Sequence, residues 1–260
     1  MTDSKWNGVI WEGIYDTWEE AELESSGSGF SSERWITAAR KKLLAYRKNR
    51  LIETTQSPID NRFSSLPLLI ATEIKNNQDK LCVLDFGGGL GTHYELLKSA
   101  LCDYSMLSYH VIETQETAEE GRKLFNDNEK IIFHSKFPDT SLCPLVCYSN
   151  SALQYIDDWL GVIKKMTDRK PRYLLLDDIP AGNIDNFISL QNYYTSKIPH
   201  RFFNINTVVD SIHELGYDLS YKTRYFGEVL GGFSPWPMDN FITSHRLDNS
   251  CSLLFKIQLE

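Results

Sequence analysis

The sequence predicts an α/β protein: a mostly parallel sheet with a helical N-terminal extension. Three observations carry this reading. The stretch Val83-Leu84-Asp85-Phe86-Gly87-Gly88-Gly89-Leu90-Gly91 reads as a buried strand running into a Gly-rich turn, with a helix over Thr92–Lys98. The stretch Tyr109-His110-Val111-Ile112-Glu113 reads as a second strand ending in an acid, 22 residues beyond Gly91. Strand-like and helix-like stretches then alternate almost to the C-terminus.

Before the Gly turn no such alternation is visible. Trp6, Trp11, Ile14, Tyr15 and Trp18 form an aromatic cluster. Trp11, Tyr15 and Trp18 recur at helix-like spacing, but Gly8 and Gly13 argue against one rigid helix from Trp6 onward. The capping box Thr17-Trp18-Glu19-Glu20 starts a short helix at Trp18. Ser25-Ser26-Gly27-Ser28-Gly29 reads as a flexible break and a hinge. A helix over Ser32–Arg50 carries Trp35, Ala39, Leu43 and Tyr46 on one face. Its basic residues (Arg40, Lys41, Lys42, Arg47, Lys48, Arg50) make either a solvated face or a clamp for phosphate. A further helix is expected over Pro67–Ile74. Residues 1–64 are therefore read as a helical, aromatic extension or lid, and residues 65–260 as the α/β domain.

Within that domain the order is regular. A helix over Ala118–Phe125 precedes a strand over Lys130–Phe133, after which Ser135 stands. Leu145–Tyr148 is a strand that runs into Ser149-Asn150-Ser151. Asp157-Asp158 start a helix through Met166, with the acids at its favourable dipole end. Tyr173–Leu176 is a strand followed by Asp177-Asp178. A helix opening at Asn206 or Thr207 stops at Gly216, and strands over Tyr217–Tyr225 and Ser252–Ile257 close the sheet. The segments between Asp177 and Arg201 and between Phe226 and Asn249 are read as long loops.

Composition narrows the function. The chain has 260 residues, 42% hydrophobic and 12% aromatic, which suffices for a sizeable core. A net charge of −8 makes nucleic acid a poor partner. No apolar run is long enough to span a membrane, and no apolar leader follows Met1, so a cytoplasmic protein is expected. The five Cys are scattered and lack zinc-site spacing, which predicts reduced thiols and no metal centre.

A strand, Gly turn and helix in this order make a cradle for a nucleotide-like ligand, because Gly allows a sharp turn and a close backbone approach. The glycines fall as D-x-G-x-G-x-G, and the dinucleotide fingerprint starting at Gly87 would need a small residue where Thr92 stands. Glu113, at a strand end, is placed to accept both hydroxyls of a ribose. The candidate cofactor-binding residues are Asp85, Gly87, Gly88, Gly89, Gly91, Glu113, Ser135, Ser149 and Asn150. The plain alternative is a tight strand–helix turn with no ligand.

The stretches VLDFGGGLGTHY, YHVIE, SNSALQYIDDW and RYLLLDDIP, with Ser189-Leu190-Gln191-Asn192 and the opening Trp11-Glu12-Gly13-Ile14-Tyr15-Asp16-Thr17-Trp18, resemble a family of S-adenosylmethionine-dependent methyltransferases. That family is found largely in bacterial surface-polysaccharide (O-antigen and capsule) gene clusters. The resemblance implies the seven-stranded, Rossmann-like methyltransferase sheet, with six parallel strands and the last antiparallel between strands five and six. It implies S-adenosyl-L-methionine as cofactor and O-methylation of a sugar or sugar-linked phosphate. A small non-sugar acceptor, or a catalytically silent cofactor-binding subunit, stays open. Where the wider superfamily often has an acid for adenine, Ser135 stands here.

Methyl transfer to a hydroxyl benefits from a base, and the candidates are Asp178, His200 and Asp177. Each has a plain alternative, a turn-capping Asp or a solvated His. His200 is favoured by its ordinary titration range. Tyr15, Trp18, Gln154, Tyr155, Gln191 and Tyr194 are the candidate acceptor-binding residues, with the N-terminal aromatics closing over the site.

Overall fold

A computed structural model of the chain describes residues 9–52, 64–74, 81–126, 128–193, 195–225 and 235–258, without the side chains of residues 46 and 48–52. Trp6, Gly8, Tyr194 and residues 226–234 of the second long loop, named above, lie outside the described residues.

The chain begins with a strand, β1 (Trp11–Tyr15), followed by helices α1 (Trp18–Glu24), α2 (Glu33–Ile52) and α3 (Leu66–Ile74). Next come β2 (Leu81–Phe86), α4 (Thr92–Ala100), β3 (Leu107–Ile112), α5 (Gln115–Leu124), β4 (Ile131–His134) and β5 (Val146–Asn150). They are followed by α6 (Trp159–Thr167), β6 (Tyr173–Ile179), the short β7 (Ala181–Gly182), β8 (Phe187–Tyr193) and β9 (Ser196–Asn204). The last elements are α7 (Ile205–His213), β10 (Tyr217–Arg224) and β11 (Cys251–Ile257).

The seven-stranded sheet has the order β10-β11-β6-β5-β2-β3-β4. β2 is parallel to β3 and β5, β3 is parallel to β4, and β11 is antiparallel to β10. The last strand therefore sits between the fifth and sixth strands of this sheet, as expected. The chain divides into two units: Met1–Gly29, Ser151–Ile163 and Leu176–Glu260 form one, and Phe30–Asn150 with Lys164–Leu175 form the other.

In the second unit α2 is tied down through its basic residues. Arg47 donates to the Glu95 carboxylate at 2.7 Å and to the Leu124 carbonyl at 3.2 Å, and its guanidinium lies 4.2 Å from the Phe125 ring centre. Arg40 pairs with Glu120 at 3.1 Å. These two cations of the supposed phosphate clamp are therefore engaged with α4 and α5, whose acids neutralise them.

The first unit contains a second sheet, of order β1-β8-β9-β7; the sequence reading took the β7–β9 segment for a loop and β1 for part of the N-terminal extension. β1 pairs antiparallel with β8, and β8 with β9. The pairing slips between Glu12 and Tyr15, and Gly13 there has φ +76, a left-handed conformation that a β-bulge uses and that Gly adopts without steric cost. The bulge turns Tyr15 toward α1, where it packs with Trp18, Ala21, Ile188 and Leu190. Trp11 stays on the opposite face with Phe187 and Phe202. The helical spacing of Trp11 and Tyr15 is thus an accident of a bulged strand.

The capping box of α1 is present, with Thr17 accepting from the Glu20 N–H. The Ser/Gly break is held in place: Ser26 exchanges two backbone hydrogen bonds of 2.9 Å with Lys197, and the Gly29 N–H reaches the Ser196 hydroxyl at 3.3 Å. Among the described residues no helix is long and apolar enough to cross a membrane, and no disulfide forms.

Candidate functional site

The Gly turn leaves β2 directly above Asp85, which is wholly buried and accepts from the Tyr109 hydroxyl at 2.6 Å. A Cβ on Gly88 would collide with the Asp85 carboxylate, so the loop can lie this close only as glycine. Gly87, Gly89 and Gly91 all have positive φ, at 72°, 58° and 80°. The Gly87 N–H bonds the Ile112 carbonyl at 2.9 Å, which pins the turn to the end of β3.

Glu113 completes this geometry. One oxygen of its carboxylate accepts the Gly89 N–H at 2.9 Å and the other accepts its neighbour Thr114 N–H at 3.0 Å. Burial raises its pKa, against the pull of these two bonds. A carboxylate offers about four acceptor positions, so two remain for a ligand's hydroxyls. A Cβ placed at Gly89 would find nothing nearer than Trp35 at 3.9 Å, which leaves space over the loop. A Gly cradle with a half-committed carboxylate fits a ribose-bearing cofactor.

The remaining cofactor candidates in this unit differ in what they do. Ser149 is buried and donates to the Phe86 carbonyl at 3.0 Å, so its hydroxyl joins β5 to β2. The Asn150 amide donates to the Tyr148 hydroxyl at 3.1 Å. Ser135 is exposed, and the nearby Phe137 ring stacks on Phe86 at 5.8 Å. His93, which the sequence reading passed over, sits in the first turn of α4 with its ring edge-on to Tyr148 at 5.1 Å. Burial, reinforced by Lys42, lowers its pKa to about 4.

In the other unit a hydrogen-bonded group forms around the end of β6. Tyr155 donates to the Gln191 amide oxygen at 2.7 Å, and its ring lies edge-on to His200 at 5.2 Å. The Gln154 amide donates to the Ser151 hydroxyl at 3.2 Å and to the Asp178 carbonyl at 3.3 Å. Ser250 donates to the Asp178 carboxylate. Asp178 and Ser151 both hold left-handed backbones, with φ 53° and 54°, a conformation uncommon outside glycine and frequent at functional sites. Burial raises the Asp178 pKa, making it a stronger base than a solvated carboxylate, although Ser250 and Ser151 oppose the shift. Asp177 is wholly buried, and its carbonyl accepts the Ser151 N–H at 3.0 Å.

Two expectations need correction. His200 is buried among Trp11, Tyr155 and Phe202, and desolvation drives its pKa down to about 3. It stays neutral near pH 7 and does not titrate in the range that recommended it. Tyr15 and Trp18 pack on the α1 face of the four-stranded sheet, where their polar ends bond Glu24 and Glu22 at 2.7 and 3.0 Å. They are separated from Tyr155, Gln191 and His200 by the sheet itself. Ser250 and Ser151 are the polar partners that sequence reasoning did not assign: Ser250 lies in no quoted stretch, and nothing set Ser151 apart from Ser149 at the same strand end. Among the described residues no group of three or more His, Cys, Asp or Glu could hold a metal ion.

No family model matches the chain, and no curated protein matches it by sequence. Solved structures do match it in shape. A SAM-dependent methyltransferase from Methanosarcina mazei aligns with a TM-score of 0.50 and 15% identity, over 72% of this chain and 97% of that one. The fold is the Rossmann-like methyltransferase fold. The Burkholderia thailandensis 1,6-didemethyltoxoflavin-N1-methyltransferase, solved with 1,6-didemethyltoxoflavin and S-adenosylhomocysteine, aligns over 90% of this chain and 94% of that one, with a TM-score of 0.49 and 10% identity. A S-adenosylmethionine-dependent methyltransferase from Clostridium acetobutylicum aligns over 84% and 99%, with a TM-score of 0.49 and 13% identity. The methyltransferase fold accounts for the seven-stranded sheet, and the archaeal alignment leaves more than a quarter of this chain outside the shared part.

Proposed function

We propose that this chain is an S-adenosyl-L-methionine-dependent methyltransferase that methylates a hydroxyl group. The observation that carries the reading is the bond from the Gly89 N–H to Glu113, which joins the Gly turn and the acid of the next strand into one cradle. Glu113 would hold the ribose hydroxyls, and Gly87–Gly91 would pass close to the rest of the cofactor. Ser135 and Phe137 are the candidates at the adenine. Bound there, S-adenosylmethionine supplies a methyl group on a positively charged sulfur.

Asp178 is the proposed general base. Asp178 would take the proton of an acceptor hydroxyl whose oxygen gains the methyl group while the cofactor leaves as the thioether, and Ser250 and the left-handed backbone fix where that carboxylate points. Tyr155, Gln191 and Gln154 orient the acceptor. Orientation matters because displacement at carbon needs an in-line approach, and holding reactants so can supply several kcal/mol. The likeness of the quoted stretches to methyltransferases of surface-polysaccharide clusters supports a sugar or sugar-linked phosphate as acceptor in glycan assembly.

Isothermal titration tests the core of this reading. S-adenosylhomocysteine should bind and NAD should not. Tight NAD binding without an S-adenosylhomocysteine signal would overturn it.

A further inference from the structure

The four-stranded sheet separates its side chains by charge. Residues directly opposite in an antiparallel pair share a face, and neighbours along a strand take opposite faces. Trp11 stands opposite Gln191, and Ser189 opposite His200, so these four share one face. Lys197 and Arg201 flank His200 at odd positions of β9 and therefore take the other face. There Lys197 pairs with Glu12, and Arg201 pairs with Asp157 at 3.3 Å and lies 5.4 Å over the Trp18 ring.

The face of Trp11, Gln191 and His200 thus carries aromatic rings and uncharged polar groups, with Ile184, Met238, Phe241 and Leu247 packed beside Trp11. Tyr155 joins it through its bond to Gln191 and its contact with His200. Burial, and after it the negative charge of Asp178, hold the Tyr155 phenol well above its ordinary pKa. Two polar atoms on this face have no partner although their residues are almost fully buried: Trp11 Nε1, at 1% residue exposure, and His200 Nδ1, at 2%. A buried donor or acceptor left unmade costs about 1–3 kcal/mol, and a ligand that supplies the missing bonds recovers it.

We infer that this face receives the acceptor, and that the part of the acceptor entering it is an uncharged ring bearing hydroxyl groups, not a phosphate or carboxylate. The inference rests on the methyltransferase reading and narrows it to the neutral member of the two acceptor classes. A flat or half-flat ring stacks on Tyr155, next to Trp11, whose own ring already packs against His200, Phe202 and Trp236. Hydroxyls both donate and accept, and so serve an indole N–H, an imidazole nitrogen and an amide together. An anion would find no cation on this face among the described residues and would lie near Asp178.

The test uses the full chain saturated with S-adenosylhomocysteine. Heteronuclear NMR follows the Trp11 indole N–H and the His200 imidazole. Methyl glucoside, methyl galactoside and catechol are the uncharged probes; inorganic phosphate and glucuronate are the charged ones. At least one uncharged probe should move both signals, and the charged probes should leave them in place. Tyr155→Phe, which keeps the ring, should weaken the uncharged probe at least tenfold and leave S-adenosylhomocysteine affinity within twofold. Charged probes that bind as well as neutral ones, or a Tyr155→Phe protein with unchanged probe affinity, would overturn the inference, as would silence of both signals toward every uncharged probe. Failure of S-adenosylhomocysteine to bind counts against the methyltransferase reading instead, and the probe titrations repeated without it still judge the face.

Discussion

At the Gly turn, side chains hold backbone: Asp85 lies under the loop and Glu113 takes the Gly89 N–H. Around the β8–β9 hairpin, side chains hold side chains: Tyr155 bonds Gln191, Gln154 bonds Ser151, and Ser250 bonds Asp178. The first arrangement suits a ligand met by main-chain groups, and it tolerates little change because backbone and glycine set it. The second sets its specificity by side chains that substitution can exchange. On the proposed reading, a chain with both keeps its cofactor in one region, and its base and its choice of acceptor in the other.

Substitutions can separate the two. The largest effect is expected at Asp178. Asp178→Asn should lower turnover by roughly 10²–10⁴-fold, the usual worth of a general base, with S-adenosylhomocysteine affinity unchanged in titration. Equal turnover would remove Asp178 from the chemistry. Trp18→Ala checks which face of the hairpin sheet matters to ligands. Loss of this buried ring should cost roughly 3–5 kcal/mol of stability, read by denaturant unfolding, with acceptor KM unaltered. A changed KM in a protein of normal stability would restore Trp18 to the acceptor site.

Glu113→Gln sharpens the other side of the comparison. It removes charge from one set of ligand bonds and should weaken S-adenosylhomocysteine by about 10–100-fold, equivalent to roughly 1.5–3 kcal/mol, without altering the melting temperature. An unaffected dissociation constant would mean that Glu113 serves the loop alone. The smallest effect concerns pH. His200 is depressed from 6.5 to about 3 in the folded protein, so below pH 6.5 the unfolded chain takes up the proton first. Its contribution is complete above that pH and is lost as pH falls from 6.5 toward 3, amounting to roughly 2 kcal/mol at about pH 5. His200→Gln should flatten the pH dependence of thermal unfolding in that window, and an unchanged profile would place the proton uptake elsewhere, with His93 and His110 as the next candidates.

The strand, Gly turn and helix were legible because their determinants are close in sequence. Asp85, the glycines and Gly91 fall within seven residues, and a buried strand must precede such a turn. The partner of the Ser149 hydroxyl was not legible, because a strand-end hydroxyl reads alike whether it faces a ligand or, as here, donates to the Phe86 carbonyl. The hairpin was illegible for two physical reasons. Gly13 inserts a bulge that breaks the alternation of β1 after Glu12. Pro199 interrupts β9, and proline ordinarily demotes a strand call; on its far side β9 meets β7 only at Phe203 and Asn204, so the missing N–H is tolerated. Ile188 and Leu190 alternating with Ser189 and Gln191 were the available signal. Burial of His200 could not be read at all, because it depends on Trp11, nearly two hundred residues away.

The pairing of Trp11 with Gln191 also has a temporal side. During synthesis β1 emerges first, and its partner strand is made about 180 residues later. At typical elongation rates of about 5–20 residues per second, that delay is roughly 10–35 s. Through that interval an indole destined for the interior remains without its sheet, while the strands β2 to β7 are made between the two partners. Assembly of the hairpin sheet is therefore the late, non-local event in the chain's maturation, and closing so long a loop makes it the step most open to competition from chaperones or from neighbouring chains.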